Sequence, residues 1–139
     1  MQHPSDPIRC GLPHREPFIF VDEVLALEPG SSAVCTKTFA ASEPFFRGHF
    51  PNHPLVPGVI LTEALAQTAG LAAGQPGRTF HLSAIKLMKF FKPVAPEMRV
   101  IFSAKKTAEI GGLLQFQVDA KVENEIVAEG TIILNEARV

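Results

Sequence analysis

The chain has 139 residues, a length that fits one domain, and we expect residues 1–139 to fold as a single unit. Hydrophobic residues make up 46% of the chain and charged residues 19%, a balance that is typical of a globular protein and excludes a disordered one. The formal net charge of −1 supplies no basic field to attract phosphates, so nucleic acid is not expected as a partner.

The N-terminal part predicts an irregular lead-in, two strands and a long loop. Residues 1–17 are rich in proline and polar residues. Phe18–Leu27 is β-branched and aromatic and predicts a strand, and Ser32–Phe39 predicts a second one after a turn at Pro29-Gly30. Ala40–Pro57 predicts a loop, and loops of this length inside compact domains tend to carry function.

A helix is predicted from Pro57 to Gly74, because proline suits a first helical turn and Pro76-Gly77 is a stop signal. Between Pro54 and Gln75 the only charged residue is Glu63. A helix that is apolar nearly all round is usually buried, and a buried carboxylate is costly unless it is paired or protonated. The segment is short and interrupted by polar residues, so we expect a core helix and no membrane insertion.

The C-terminal half predicts four strands: Leu82–Phe91, Arg99–Lys106, Leu114–Val122 and Ile126–Leu134. In the third of these, apolar and polar residues alternate strictly, which is typical of a half-buried antiparallel strand. Glu123-Asn124-Glu125 predicts the turn into the last strand. Two strands, one helix and four strands indicate an α+β fold in which the helix covers one curved antiparallel sheet.

The cysteines and aromatics indicate the compartment and the interior. Cys10 and Cys35 lack metal-ligand spacing, so no metal site is predicted, and a disulfide between them stays open. The N-terminus has neither a basic start nor an apolar core, so no signal peptide is predicted and we expect a cytoplasmic protein. The presence of 11 Phe with no Trp and no Tyr favours an apolar interior or tunnel.

The loop Gly48–Pro54 holds two histidines, His49 and His53, among apolar residues just before the helix. A neutral imidazole and a protonated carboxylic acid in one apolar cleft form a general base and a general acid. The sequence therefore predicts an enzyme that uses His49 and Glu63. In the alternative interpretation, His49 caps backbone carbonyls of the loop and Glu63 is a structural carboxylate bonded to Gln67 or to the His49 loop. A structural and a catalytic role of Glu63 could also hold together.

Three segments resemble a known family. F-F-R-G-H-F-P-N-H-P-L-V-P-G-V-I-L-T-E-A-L-A-Q (Phe45–Gln67) resembles the active-site segment of the bacterial 3-hydroxyacyl-[acyl-carrier-protein] dehydratases of the hotdog fold. L-P-H-R-E-P-F-I-F-V-D-E-V (Leu12–Val24) resembles their N-terminal block, and K-F-F-K-P-V-A-P (Lys89–Pro96) resembles a third block. The segments occur in the family's order and spacing over nearly the whole chain.

The resemblance implies a hotdog fold, with a long central helix wrapped by the sheet. It implies dehydration of (3R)-hydroxyacyl-acyl carrier protein to the trans-2-enoyl product, in fatty acid or related lipid or polyene biosynthesis. His49 matches the family's catalytic base and Glu63 its acid, and the two come from opposite protomers of an edge-to-edge dimer. Glu rather than Asp at position 63 favours the branch that only dehydrates.

The resemblance also implies the partners. We expect acyl carrier protein as the partner, a homodimer or a trimer of dimers, and no metal or redox cofactor, since phosphopantetheine arrives with the substrate. The family commonly has Tyr where Glu16 stands and Pro-Gly-Asp where this chain has Pro96-Glu97-Met98. It also often places a Tyr gate near the tunnel. These departures leave the acyl chain length and the pathway open.

Four further residues are predicted to bind substrate: Gly58, Val59, Phe50 and Phe90. The Gly58 N–H, at the positive end of the helix, is the candidate for holding the thioester oxygen, with Val59 as a second donor. An acyl tunnel could be lined by Phe90, Phe91, Met88 and Leu61, although core packing explains these residues equally well. The family block includes His14 and Arg15, for which we expect a structural role in bracing the active-site loop.

A cluster of basic residues could dock the acidic carrier protein: Lys86, Lys89, Lys92, Arg99, Lys105 and Lys106. Ordinary solvated side chains are an equally good explanation. The alternative enzymes are a hotdog thioesterase and a dehydratase that serves coenzyme A. The alternative from another class is a non-catalytic subunit that binds the acyl carrier.

Overall fold

The structure, a computed structural model, describes residues 5–74 and 78–137. Within these ranges the elements are β1 (Glu23–Glu28), β2 (Ser32–Thr38), a short 3-10 helix (Pro44–Arg47), α1 (Gly58–Ala73), β3 (Thr79–Phe90), β4 (Arg99–Ile110), β5 (Leu113–Val122) and β6 (Glu125–Ala137). The predicted order of two strands, one long helix and four strands is confirmed. The predicted stop signal Pro76-Gly77 lies outside the described residues.

The six strands form one antiparallel sheet in the order β1-β2-β4-β5-β6-β3. The predicted turn between β5 and β6 is confirmed: Glu123 and Asn124 have φ of 50° and 66°. Positive φ at both central residues is the mark of a type I′ turn, whose twist matches that of the strands it joins. Because β1 and β3 are the outer strands, each has one edge that pairs with no other strand of the described chain.

Helix α1 packs on one face of the sheet, mainly against β4 and β2. From Leu61 to Ala73 its residues are buried, apart from Glu63 and Gly70, which are partly exposed. The alternation predicted in β5 is confirmed, since Leu114, Phe116, Val118 and Ala120 are buried and the polar residues between them are not. Among the described residues, no helix has the length and apolarity needed to cross a membrane.

The first predicted strand, Phe18–Leu27, was wrong over its first five residues, because β1 begins at Glu23. The backbone of this segment binds a helix side chain instead of a strand: the Phe20 N–H donates to Gln67 Oε1 at 2.9 Å, and the Phe18 carbonyl accepts from Gln67 Nε2 at 3.1 Å. Strand pairing begins where these contacts end, with the Asp22 N–H bonded to the Thr36 carbonyl at 2.7 Å.

The pairing of the edge strand β3 with β6 depends on Gly130. A register shift between Ile85 and Leu87 brings the β3 backbone very close to β6 at this point. A Cβ atom added at Gly130 would overlap the Leu87 carbonyl and the Met88 sulfur. The absence of a side chain therefore lets β3 dock.

We expect Gly130→Ala to lower the free energy of unfolding by about 2–3 kcal/mol, because the methyl group meets rigid backbone. Gly70→Ala is the matched control. Nothing lies within 4 Å of the Cβ it would add, so it should instead stabilise helix α1 by about 0.5–1 kcal/mol. Urea unfolding of the two variants measures both values, and equal stabilities would contradict the close approach at Gly130.

Candidate active site

The loop that carries His49 is closed by backbone hydrogen bonds. The Leu55 N–H donates to the His49 carbonyl at 2.9 Å, and Phe50 and His53 bond each other's backbone at 2.9 and 3.1 Å. Val56 N–H donates to the Val94 carbonyl at 2.8 Å, which ties the loop to the segment that follows β3. The loop therefore holds His49 at a fixed place beside the start of α1.

The protonation of the His49 ring is determined by Leu55. His49 Nδ1 lies 3.0 Å from the Leu55 carbonyl oxygen. A carbonyl can only accept, so Nδ1 carries the proton in the neutral ring and Nε2 carries the lone pair. The ring is half-buried and stacks on Phe50, with centroids 4.0 Å apart. His49 can therefore take up a proton at Nε2.

His49 lines a cavity of about 310 Å³ together with Leu55, Val56, Gly58, Leu61, Phe90, Phe91, Lys92, Pro93 and Val94. The first turn of α1 opens onto it, and the N-cap residue Pro57 has no side chain that could cap the helix. A Cβ added at Gly58 would lie 3.1 Å from the Phe90 ring. Glycine here lets Phe90 pack against the helix end and leaves the helix N–H groups accessible.

Glu63 lies in a different cavity, of about 210 Å³, lined by His14, Phe18, Glu63, Ala66, Phe80, His81, Leu82 and Leu134. Its side chain is 21% exposed and has polar neighbours, so the carboxyl group is partly buried and not left without partners. Gln67 Nε2 donates to Glu63 Oε2 at 3.1 Å, as the structural alternative predicted. His14 Nε2 lies 3.6 Å from the same oxygen.

The two cavities lie at opposite ends of β3. Phe90, the last residue of the strand, lines the His49 cavity, whereas Phe80 and Leu82, near its start, line the Glu63 cavity. Within one protomer the predicted base and acid therefore do not share a pocket. A larger recess of about 450 Å³, at the start of β4 and the β5–β6 turn, contains neither of them.

The other predicted residues divide into two groups. Gly58 and Phe90 line the His49 cavity, as do Phe91 and Leu61 of the predicted tunnel. Val59 is 75% exposed and does not line it, Phe50 contacts the ring of His49 but not the cavity, and Met88 lies elsewhere.

His14 is the functional candidate that the sequence misjudged. It was expected to brace the His49 loop, but it lies beside Glu63 instead. Its neighbour Arg15 donates from Nη1 to the Leu12 and His14 carbonyls at 2.9 and 2.7 Å, so these bonds brace its own segment and not the His49 loop. The one sequence signal that could have marked His14 as functional was its place in the Leu12–Val24 segment that resembles the family.

Both cysteines are free thiols. Burial raises the pKa of Cys35 to about 11, and a contact with the Thr68 side chain acts in the opposite direction. No group of three or more His, Cys, Asp or Glu that could hold a metal ion occurs among the described residues.

Comparison with known proteins agrees with this architecture. Residues 12–131 match the FabA-like domain family. The 3-hydroxyacyl-[acyl-carrier-protein] dehydratase FabZ of Rhizobium etli is 43% identical over 125 residues, which cover 87% of this chain and 81% of the relative. FabZ of Ruminiclostridium cellulolyticum is 42% identical over 129 residues, which cover 90% and 91%. The chain therefore belongs to the FabA-like family, among its 3-hydroxyacyl-[acyl-carrier-protein] dehydratases.

Solved structures with lower identity establish the fold. The dehydratase heterocomplex ApeI:P of Xenorhabdus doucetiae superposes with a TM-score of 0.81 at 15% identity, covering 99% of this chain and 93% of that one. An HP0420 homologue from Helicobacter felis gives a TM-score of 0.73 at 15% identity, covering 94% and 87%. The predicted hotdog fold is confirmed.

We expect Gln67→Leu to lower the free energy of unfolding by about 1–3 kcal/mol, because it leaves the buried Phe20 N–H without its acceptor. Gln117→Leu is the matched control on β5: its amide binds only the exposed Thr131 hydroxyl, and the change should stay within about 0.5 kcal/mol. Chemical denaturation measures both. Equal effects of the two substitutions would contradict the anchoring role of Gln67.

Proposed function

We propose that this protein dehydrates (3R)-hydroxyacyl-acyl carrier protein to the trans-2-enoyl thioester in fatty acid or related lipid synthesis. His49 is the general base and Glu63 the general acid. The observation that carries the proposal is the hydrogen bond from His49 Nδ1 to the Leu55 carbonyl, since it leaves the lone pair of Nε2 free in a cavity whose other side chains are apolar except for Lys92. The FabZ relatives, which are named for this reaction, support the same activity.

In the proposed reaction His49 Nε2 removes the proton from the substrate's α-carbon. The electron pair moves into the thioester carbonyl, and the negative charge on its oxygen is stabilised by the Gly58 N–H at the positive end of α1. When the charge returns, the double bond forms and the β-hydroxyl departs as water with a proton from Glu63. The Phe50 ring stacks on the His49 imidazole and helps to fix its orientation.

The proposed reaction requires His49 and Glu63 to act on one substrate, and pairing of two copies along the edge strand β3 would bring them together. Its outer edge is unpaired within the described chain, and Leu82, Ile85, Leu87 and Phe90 are 38–52% exposed along it. A long, apolar, uncovered edge is a template for pairing with another chain. We infer that two copies pair along this edge in a homodimer.

A two-fold axis makes such a pairing antiparallel. The start of β3, beside Glu63, then lies next to the end of the partner's β3, beside His49 of the partner subunit. Two equivalent composite sites result, and each takes its acid from one protomer and its base from the other. Assembly of three dimers into a hexamer is compatible with this arrangement.

The proposed chemistry needs no metal or redox cofactor, because a base, an acid and an N–H donor perform every step. The phosphopantetheine arm enters as part of the substrate. We also propose that the whole chain, residues 1–139, is one catalytic domain. We propose that it acts in the cytoplasm, where fatty acid synthesis takes place and where a free buried thiol such as Cys35 stays reduced.

The basic residues near the His49 cavity are proposed to dock the carrier protein. Lys92 lines the cavity itself. Three members of the predicted cluster have partners: Lys86 donates to Gln115, Lys92 pairs with Glu125, and Lys106 pairs with Glu109. Lys89, Arg99 and Lys105 are exposed. The cluster is therefore a weaker positive surface than the sequence suggested. Besides Lys92, which lines the cavity, Lys89 directly precedes the cavity residue Phe90 in the chain.

We expect His49→Ala and Glu63→Gln each to fold normally, with a dehydratase rate reduced by about 10²–10⁴-fold or more. Purified protein is mixed with crotonyl-acyl carrier protein or crotonyl-coenzyme A, and hydration is followed as loss of the enoyl absorbance. Free thiol release instead would indicate a thioesterase. Full activity of either variant would contradict its assignment.

Mixing the two inactive variants tests the composite site. After exchange of subunits, half of the dimers are mixed, and each mixed dimer has one intact site and one doubly defective site. Activity should therefore return to about a quarter of the wild-type value per protomer. Either variant mixed with itself is the control. A mixture that stays inactive although subunits exchange would place base and acid in the same protomer.

Charge reversal at Lys89 and Lys92 together should raise KM for the acyl carrier protein substrate by about an order of magnitude, because electrostatic steering acts on encounter. KM for the coenzyme A thioester is the control, and it should rise less than KM for the acyl carrier protein substrate. If the carrier-protein KM of the double variant equals that of the wild type, these lysines do not dock the carrier.

A further inference from the structure

The position of His14 relative to Glu63 is not explained by packing alone. The imidazole comes from the lead-in segment before β1, and its Nε2 lies 3.6 Å from Glu63 Oε2, just beyond hydrogen-bonding distance. The ring stacks on Phe18 with centroids 6.2 Å apart, and Phe18 is itself bound through its carbonyl to Gln67. The ring is therefore held at the acid by the same amide that binds the acid.

The protonation of His14 follows from its two nitrogens. Nδ1 is buried and has no hydrogen-bond partner among the described residues, whereas Nε2 faces a carboxylate. A proton on Nδ1 would be a buried donor without an acceptor, so the proton belongs on Nε2. Burial lowers the pKa of His14 below its ordinary value, and the charge of Glu63 acts in the opposite direction. His14 therefore presents a neutral N–H to Glu63.

The two oxygens of Glu63 are consequently not equivalent. Oε2 accepts from Gln67 Nε2 at 3.1 Å and faces His14 Nε2, so Oε1 is the oxygen left for substrate. A neutral donor is suited to this place. A cation in its position would stabilise the ionised carboxylate and weaken it as a proton donor, whereas a neutral N–H orients the group at a smaller electrostatic cost.

We propose that His14 is a positioning residue for dehydration: its Nε2–H, 3.6 Å from Glu63 Oε2 in the free protein, closes on that oxygen when substrate binds and so presents Oε1, with its proton, to the departing hydroxyl. This inference rests on the proposed function. It makes the acid half of the site a unit of three side chains from one protomer, His14, Glu63 and Gln67. The base half, around His49, comes from the other protomer.

Substitutions at position 14 separate hydrogen bonding from packing. His14→Gln places an amide N–H near the position of Nε2 and should keep kcat within a few-fold of the wild type. His14→Leu fills the space without a donor, and His14→Asn carries an amide too short to reach Glu63. Both should lower kcat by about 10–100-fold with KM within about three-fold, since loss of acid catalysis acts on the chemical step. Melting temperatures and dimer content are measured for all three.

Mixing experiments assign His14 to its half-site. A His14→Leu protomer mixed with a His49→Ala protomer should regain activity, because the mixed dimer contains one site with an intact base half and an intact acid half. The His14→Leu protomer mixed with a Glu63→Gln protomer should not regain activity. Both defects lie in acid halves, so every site of the mixed dimer contains a defective acid half. A merely structural defect would not distinguish the two mixtures.

Three outcomes would overturn the inference: full kcat in His14→Leu, equal losses in the Gln and Leu variants, or equal recovery in the two mixtures. If His14→Leu does not fold, the contrast between Asn and Gln decides in the same way. A wild-type protein that fails to hydrate either crotonyl thioester overturns the proposed function itself. Failure of His14 alone leaves the wild-type reaction intact, so the two results are distinguishable.

Discussion

The buried amide of Gln67 is the interaction on which the surroundings of Glu63 depend. Its oxygen accepts from the Phe20 N–H, and its nitrogen donates to the Phe18 carbonyl and to Glu63 Oε2. Since each buried bond satisfies a group that would otherwise be costly, the amide fixes the lead-in chain on α1. The same bonds bring His14 to Glu63. The stability of the fold and the orientation of the Glu63 carboxyl group thus both depend on the Gln67 side chain.

The base side has a separate anchor of its own. His49 is held by its ring and its backbone to Leu55, and Val56 bonds the loop to Val94 in the segment between β3 and β4. These contacts are independent of Gln67, and the two cavities lie at opposite ends of β3. Such a division fits the proposed dimer, in which pairing along the β3 edge brings the His49 cavity of one copy to the Glu63 cavity of the other.

Short-range patterns predicted most elements of the fold. The charge-free apolar run predicted α1, strict alternation predicted β5, and the Glu123-Asn124-Glu125 turn was placed correctly. These features depend on residues a few positions apart, which the sequence displays directly. The strand predicted at Phe18–Leu27 was wrong over residues 18–22, because its backbone groups bind Gln67, a residue far along the chain. No local pattern contains that contact.

The sequence by itself determined the class of the protein, its α+β order and the residues expected to act, His49 and Glu63, through motifs whose residues are neighbours in the chain. Only the tertiary structure decided which atoms are available for chemistry. The Leu55 carbonyl selects Nε2 of His49, and Gln67 and His14 both lie at Oε2 of Glu63. Those assignments depend on distances of about 3–4 Å between groups brought together by folding, and residue order does not specify such distances.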